Sequence, residues 1–389
     1  MNNSLKRLVS LSIAGLITSI SLIQIPVSAN ASKPILSLEK AIDSAIDNSY
    51  QIVLNEEKQD MLEDKDDFYQ DIDMDDDGYN DIQISQNEQK RKFLKDQISV
   101  DITSKYNSII VLEKELQNID MSIEIKTKDY ETMELKKNMG LISTIEIQNS
   151  KAEIDKLKAD KKSKEEEIKN TKKIFSIITD IDVEDYALEN SIEFKPLKLH
   201  ESLDSYLDDR IDTYFRYNKK LAKWVEDNYT DTSGSKPVPP NANDEKYNEK
   251  DENGKLKNDF EGDLKQWKVD YQNWISSSLK DIENEYNADT ALDSVNDAKR
   301  TMKQTLLTTY TKLVTLEGNI SSMKSQLEVL YNKTKITKLQ YDLALITKQD
   351  YYNQLLSTQQ LEVSYESLIN SYNDLKEKID KPWTLSSGI

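Results

Sequence analysis

The stretch that decides the fold is Asn138-Met139-Gly140-Leu141-Ile142-Ser143, and Asp342-Leu343-Ala344-Leu345-Ile346-Thr347 repeats it more weakly. Each stretch lies between two long runs in which apolar residues recur at helical spacing. A few residues with Gly or a small side chain between two such runs are typical of a tight turn between helices. The sequence therefore predicts two long helical hairpins, with tips near residues 140 and 345.

The arms of these hairpins have the spacing of a coiled coil. In the first ascending arm, apolar residues recur at steps of four and three: Ile98, Ile102, Tyr106, Ile109, Leu112, Leu116, Ile119 and Ile123. This spacing is typical of a coiled-coil seam rather than the broad apolar face of a globular helix. An ascending helix of about fifty residues, beginning near Asn87, would be ~75 Å long. The descending helices are expected to end near Asp180 and Pro382.

The order of segments before each hairpin indicates an internal duplication. An amphipathic helix capped by Ser37 is predicted from Leu38 to Leu62, and a similar apolar stripe begins at Leu199. A polar insert follows each of these helices, and Asn253-Gly254 is expected to form a turn in the second. The predicted segments are a first repeat over residues 32–190 with its insert at 63–86, and a second repeat over 191–389 with a flexible insert at 229–262 and a short extended piece at Ser191 to Phe194.

The composition favours rods over a thick globular core. Hydrophobic residues are 37% of the 389 residues and charged residues 32%, and the chain has only 8 Gly and 7 Pro. Long helices that each bury a narrow stripe fit these proportions. The net charge of −19 would repel nucleic acid and anionic membrane surfaces.

The residues needed for common catalytic sites are missing from the sequence. The chain has no Cys and a single His, His200, and it has no Gly-rich phosphate loop. Catalytic triads and P-loops therefore lack parts. The sequence predicts that this protein is not an enzyme.

The first 31 residues have the pattern of a secretory signal peptide. Lys6-Arg7 precede an apolar run from Leu8 to Val27, and small residues at Val27-Ser28-Ala29 or Ala29-Asn30-Ala31 supply a cleavage pattern. An uncleaved membrane anchor is the alternative. No later segment has the ~20 apolar residues of a membrane-spanning helix. We therefore expect export to the cell envelope or the extracellular surface, and to an outer membrane only if the host has one.

The first insert contains an acidic loop at residues 73–81 that partly matches a calcium loop. Gly78 stands at position 6, but Ile84 occupies position 12, where an EF-hand has a bidentate Glu. The residues that would bind calcium, at positions 1, 3, 5 and 9, are Asp73, Asp75, Asp77 and Asp81. The alternatives are a solvated acidic loop and a β-hairpin with strands at residues 68–74 and 79–85.

The duplicated order and two motifs resemble the TolC family of outer-membrane efflux proteins. Leu38-Glu39-Lys40-Ala41-Ile42 is similar to the opening helix of the family, and the run from Gly140 to Ala152 is similar to its hairpin-tip pattern. The second tip has Ala344 in place of Gly. The resemblance covers nearly the whole chain after residue 31 and implies a homotrimer around a helical duct. It also implies that the tips contact a membrane-fusion adaptor of an export pump, through Gly140, Leu141, Ile142, Ser143, Leu345, Ile346 and Thr347.

The inserts depart from the family pattern, in which each half carries two membrane β-strands. A lipid-spanning strand needs ~9 to 11 residues that alternate between apolar and polar. The first insert alternates only briefly among its Asp residues, and the second does not alternate. We therefore expect an all-α fold of two tandem coiled-coil hairpins with short flanking helices, at most short β-hairpins in the inserts, and no membrane strands.

Two functions fit a chain of this kind. In the first, the hairpins form a duct or docking rod for an adaptor and pump, as the TolC resemblance implies. In the second, they form a secreted or cell-surface coiled-coil scaffold without transport activity. Elongated helical rods are common to both, and the two differ in oligomeric state and in the passage of solutes.

Overall fold

The fold of the chain is almost entirely helical. The computed structural model describes residues 33–74, 78–189, 191–231 and 233–385. The α-helices in these ranges are α1 (Leu38–Asp47), α2 (Tyr50–Asp71), α3 (Tyr79–Asn138), α4 (Thr144–Thr179), α5 (Leu203–Asp227), α6 (Phe260–Asp342) and α7 (Lys348–Asp380). Two short strands, β1 (Ile35–Leu36) and β2 (Ala187–Leu188), pair in parallel. The predicted all-α fold is confirmed, and the predicted signal peptide lies outside the described residues.

Two long hairpins dominate the molecule. Helices α3 and α4 form the first and helices α6 and α7 form the second, with turns at the predicted tips. The 60 residues of α3 correspond to about 90 Å, and the 83 residues of α6 to about 125 Å. None of the helices in the described ranges carries an apolar stretch long enough to cross a bilayer.

The helices form one layer, with α3 near its centre. Towards the tips the order is α4–α3–α7–α6, because α3 packs on both α4 and α7 and α7 packs on α6. Lys114 on α3 forms an ion pair with Glu366 on α7 at 2.6 Å, and Asn107 donates to Asn370 at 3.0 Å. Towards the opposite end the order is α2–α3–α5–α6. Helix α6 therefore forms one edge of the layer, and α2 and α4 form the other.

Two separate clusters of buried apolar side chains hold the layer together. The first is made by residues between Leu36 and Leu188, with Tyr106 and Phe175 among its largest members. The second is made by residues between Ile192 and Leu385, around Leu313 and Tyr372. Each cluster draws on one half of the sequence.

The first amphipathic segment forms two helices rather than one. The prediction of a single helix from Leu38 to Leu62 is wrong, because the chain bends at Asn48 and Ser49. The side-chain amide of Asn48 donates to the carbonyl oxygens of Ile177 and Ile178, which belong to the last turn of α4. Carbonyl groups in the last turn of a helix have no partner within that helix, and the side chain of Asn48 supplies one. The bend therefore anchors α4 to the start of the chain.

The first insert is helical, so the β-hairpin interpretation of residues 68–85 is wrong. Helix α2 continues to Asp71 and α3 begins at Tyr79, eight residues earlier than predicted. The seam of α3 continues through Asn80, Asn87 and Leu94, which are buried at seven-residue spacing. In the sequence, the alternation of Ile82 and Ile84 suggested a strand. The buried positions at the start of α3 are instead the polar residues Asn80 and Asn87, which follow the helical repeat.

Local hydrogen bonds account for two shorter segments. Residues 191–194, predicted to be a short extended piece, belong to no strand, and the side chain of Asn373 holds the segment by accepting from the amide of Lys195 and donating to the carbonyl of Glu193. In the second insert the predicted turn at Asn253-Gly254 is confirmed: Gly254 has φ +78°, and Lys250 and Leu256 form an antiparallel bridge around it.

Candidate docking site at the hairpin tips

The first tip is a helix end followed at once by a helix start. Gly140 has φ +76°, and its amide donates to the carbonyl of Lys137 at 2.8 Å. The amide of Leu141 donates to the carbonyl of Lys136 at 2.9 Å. These two bonds are the pattern that ends a helix with a left-handed residue. Glycine occupies this position because it alone reaches a positive φ without a steric penalty.

Helix α4 starts with a capping box. The hydroxyl of Ser143 accepts from the amide of Glu146 at 3.3 Å, and the carboxylate of Glu146 accepts from the amide of Ser143 at 2.7 Å. Each residue thus satisfies a backbone donor that the first helical turn would leave open. The tip is therefore fixed on both sides of its few turn residues.

The second tip repeats this construction bond for bond. The amide of Ala344 donates to Tyr341 at 2.9 Å, and the amide of Leu345 donates to Gln340 at 2.8 Å. Thr347 and Asp350 form the capping box of α7, with both reciprocal bonds at 3.1 Å. Ala344 has φ +56°, so it takes the left-handed conformation without being glycine.

Hydrogen bonds at each tip stabilise the ionised form of the capping carboxylate. Backbone and side-chain hydrogen bonds from Ser143 lower the pKa of Glu146, and bonds from the side chain and backbone of Thr347 lower the pKa of Asp350. A carboxylate at a helix start also interacts favourably with the helix dipole. Both tips therefore carry an ionised carboxylate at neutral pH.

Large apolar side chains stand in solvent at both tips. Leu141 is 68% exposed and Leu345 is 70% exposed. Ile142 and Ile346, which follow them, are half-buried. Exposed apolar residues that adjoin one another mark an interaction site more often than scattered ones do.

Sequence reasoning missed two residues of this surface. Met139 and Leu343, which cap the ends of α3 and α6, are 65% and 61% exposed. The sequence did contain a signal for their exposure, because each is an apolar residue directly before the turn residue with positive φ. We define the tip surface as these two residues with the exposed apolar residues around them: Leu135, Met139, Leu141, Ile145, Ile336, Leu339, Leu343 and Leu345.

The two tips lie at the same end of the molecule, at different heights. The side-chain amide of Gln349 donates to the carbonyl of Ile125 at 2.9 Å, and the ammonium of Lys128 lies 5.8 Å from the ring centroid of Tyr352. The second tip is therefore about level with residue 133 of α3. The first tip extends about seven residues further, or about 10 Å along the helix. The predicted tip residues thus form two neighbouring, stepped parts of one end.

A polar cluster joins three helices midway along the arms. Lys114 pairs with Glu366, and the hydroxyl of Tyr331 is hydrogen-bonded to the carboxyl of Glu362. Burial, followed by the charge of Glu366, raises the pKa of Glu362. Burial and Glu362 also raise the pKa of Tyr331. The cluster therefore joins α3, α6 and α7 through charged and polar groups that are partly removed from solvent.

The acidic turn between α2 and α3 is only partly described. Asp73 follows α2 with φ +50°, and Asp81 lies in the first turn of α3. Asp75 and Asp77 lie outside the described residues. Within the ranges that the structure describes, no three acidic, His or Cys side chains come together as a metal site. Calcium binding stays a prediction.

Comparison with known proteins finds solved structures with a similar fold. No protein-family model matches the sequence, and no curated protein matches it. The fold is similar to that of a membrane protein from Pseudomonas aeruginosa, with a TM-score of 0.54 and 10% identity over 90% of this chain and 92% of that one. It is also similar to the Campylobacter jejuni CmeC outer membrane channel, with a TM-score of 0.50 and 13% identity over 89% and 85%. The chain therefore has a TolC-like fold, as predicted from its duplicated order and its two sequence motifs.

Proposed function

We propose that this protein is an exported component of an efflux or export system, and that its hairpin tips dock an adaptor that links it to a pump. The observation that carries the proposal is the tip surface. Two helix ends of identical construction present Leu141 and Leu345 to solvent at one end of the rod. The TolC-like fold supports the same function at the level of architecture.

The edges of the helical layer support assembly into a ring. Helix α2 exposes Leu54, Met61 and Phe68 at seven-residue spacing along one edge. Helix α6 exposes apolar residues along the other edge: Ile275, Leu279, Ile282, Tyr286, Val314, Val329 and Ile336. Two different edges that pair between copies make a heterologous contact, which closes into a ring when the rotation per copy allows it. We propose a homotrimer around a central passage.

Complementation of a deletion strain tests the proposal. The Leu141→Glu, Leu345→Glu double variant places a charge on both tips, so an adaptor would have to bury it without a partner. We expect this variant to retain its helical content but to accumulate fluorescent dyes and antibiotics to the level of the deletion strain. The parent chain should restore the lower level.

Leu256→Glu is the matched control, because Leu256 is also an exposed leucine but lies in the second insert, away from the tips. This variant should restore the lower dye level as well as the parent does. If the deletion itself leaves accumulation unchanged for every compound, or if the tip variant is as active as the control, export through the tips is wrong. A scaffold role would then be favoured.

A further inference from the structure

A segment of the second insert lies against the first turns of α6. Four side-chain hydrogen bonds fasten it: Tyr229 Oη to Asp281 Oδ2 at 3.1 Å, Trp274 Nε1 to the Gly234 carbonyl at 3.2 Å, Trp267 Nε1 to the Pro237 carbonyl at 3.1 Å, and Tyr247 Oη to Asp263 Oδ2 at 2.7 Å. The two central bonds hold residues 233–240, which we call the strap. The insert predicted to be flexible is thus attached to a helix along its length.

The strap has the sequence of a polyproline II segment. Its core is Lys236-Pro237-Val238-Pro239-Pro240. Proline fixes its own φ near −65°, and the residue before a proline is restricted to extended conformations, so all five residues are biased the same way. A polyproline II helix has no internal hydrogen bonds, which leaves its carbonyls free to accept from a partner.

Three aromatic side chains of α6 form the surface under the strap. Trp267, Tyr271 and Trp274 lie on one face of the helix, with ring centroids 5.3 and 5.7 Å apart and nearly parallel planes. Both indole N–H groups point to the strap and donate to its carbonyls. We call these three residues the aromatic ladder.

The two indoles contact the strap at two separate carbonyls. Trp267 and Trp274 are seven residues apart, which is about 10.5 Å along an α-helix. Their acceptors, the carbonyls of Pro237 and Gly234, are three residues apart in the strap. Gly234 has φ +70°, so it precedes the polyproline II core, and the carbonyl of Pro237 lies within that core. The order of the two contacts shows that the strap runs antiparallel to α6.

A basic residue adds a charge contact to this match. The ammonium of Lys236 lies 5.5 Å from the ring centroid of Tyr271 and 5.8 Å from that of Trp274. Such a position over aromatic faces is attractive because of the ring quadrupole. Val238, which follows Pro237, is 85% exposed and points away from this contact.

We infer that the aromatic ladder is a recognition site for proline-rich peptides in the polyproline II conformation, with a preference for a basic residue before the first proline. Its ligand in this chain is its own strap, bound in cis. Aromatic surfaces with indole donors recognise such peptides because the peptide is extended before it binds and loses little entropy. This inference does not depend on the proposed export function.

The experiment replaces the prolines of the strap by glycine and then adds a separate peptide that carries the original proline sequence. In the full chain, Pro237→Gly, Pro239→Gly and Pro240→Gly together abolish the bias to polyproline II. We expect hydrogen exchange at the indole N–H groups of Trp267 and Trp274, followed by NMR, to become about tenfold faster, because both hydrogen bonds weaken. A synthetic peptide with the sequence of residues 231–242, added at millimolar concentration, should restore the slow exchange.

Two controls make the result specific. Pro196→Gly alters a proline in the loop beside α7 and should leave both indole signals unchanged, and a peptide with Gly at its three proline positions should not restore them. Unchanged indole exchange in the triple variant would overturn the inference, as would failure of the proline-containing peptide to bind. Exchange that depends on protein concentration in the parent chain would assign the strap to a second copy and overturn binding in cis.

Discussion

At the residue scale, the two tips provide a natural comparison of glycine with alanine. Gly140 and Ala344 have the same role and the same hydrogen bonds, and both have positive φ. A left-handed alanine costs roughly 1–2 kcal/mol, which the greater freedom of glycine in the unfolded chain partly offsets. We therefore expect Ala344→Gly to stabilise the chain by about 0.5–1 kcal/mol and Gly140→Ala to destabilise it by a similar amount, measured by urea unfolding.

No atom lies within 4 Å of a methyl group built on Gly140, so steric crowding would not add to the effect. Gly318→Ala, within helix α6 and equally uncrowded, is the control and should stabilise the chain. Equal stability of all three variants would mean that the tips adjust their backbone conformation freely.

Glu362 should make stability depend on pH. Its pKa is raised in the folded chain, so the folded state holds the proton more tightly than the unfolded state does. This contribution is fully present below the unfolded pKa, near 4.3, and is lost as the pH rises through the folded value. We expect Glu362→Gln to be more stable than the parent at pH 7, with the difference vanishing towards pH 4 in denaturant titrations.

Glu366→Gln should instead lower the free energy of unfolding at pH 7, because it leaves the ammonium of Lys114 without its carboxylate partner at 2.6 Å. If both variants shift stability in the same direction at neutral pH, the assignment of the buried charges in this cluster is wrong.

At the scale of elements, the pairing of α2 with α3 depends on a polar seam. The side-chain amide of Asn55 donates to the side chain of Asn87 at 2.8 Å, and the amide of Asn87 donates to Gln59 at 2.9 Å. All three residues are buried. We expect Asn87→Ala to cost about 1–3 kcal/mol in the free energy of unfolding, because it removes one hydrogen-bond partner from each of two buried amides.

A double-mutant cycle measures this contact. Asn55→Ala combined with Asn87→Ala should cost less than the sum of the single changes, because the second removal finds its partner already absent. Additive losses would show that the two amides do not act together in the folded chain.

The seam also explains which elements could be predicted from the sequence. The arms of the hairpins were predictable because Ile98, Ile102 and their successors are apolar at coiled-coil spacing. The start of α3 was not, because Asn80 and Asn87 occupy the same repeat with polar side chains that find partners only in the folded chain. Patterns of hydrophobicity cannot detect a buried position that is filled by an amide.

The tips were predictable for a different reason. Their turn and caps are local in sequence: every bond that fixes Gly140, Ser143 or Thr347 spans five residues or fewer. Attachment of the strap was not predictable, because Gly234 and Pro237 lie in a tract with the composition of a loop and bond to residues of α6 that are 40 and 30 positions away. Only the tertiary structure brings the prolines to the aromatic residues.

At the scale of the whole molecule, the exposed edges predict self-association. Light scattering of residues 32–389 should show a trimer at high concentration. Leu54→Glu with Met61→Glu should dissociate it, because a charge would face the apolar edge of the neighbouring copy. Leu256→Glu should leave the mass unchanged. A monomer at every concentration, with and without calcium, would contradict the ring and favour a rod that acts alone.

The division of the buried side chains into two clusters has a consequence for the order of folding. All residues of the first cluster precede residue 189, and all residues of the second follow residue 191. A ribosome therefore completes every partner of the first core before it begins the second, and each core closes through contacts within one half of the chain. Units of a chain generally fold during synthesis in order from the N-terminus, and this division of the two cores allows the chain to fold in that way. The first half can serve as a template, with α3 already formed when α7, the last helix to be synthesised, comes to pack on it.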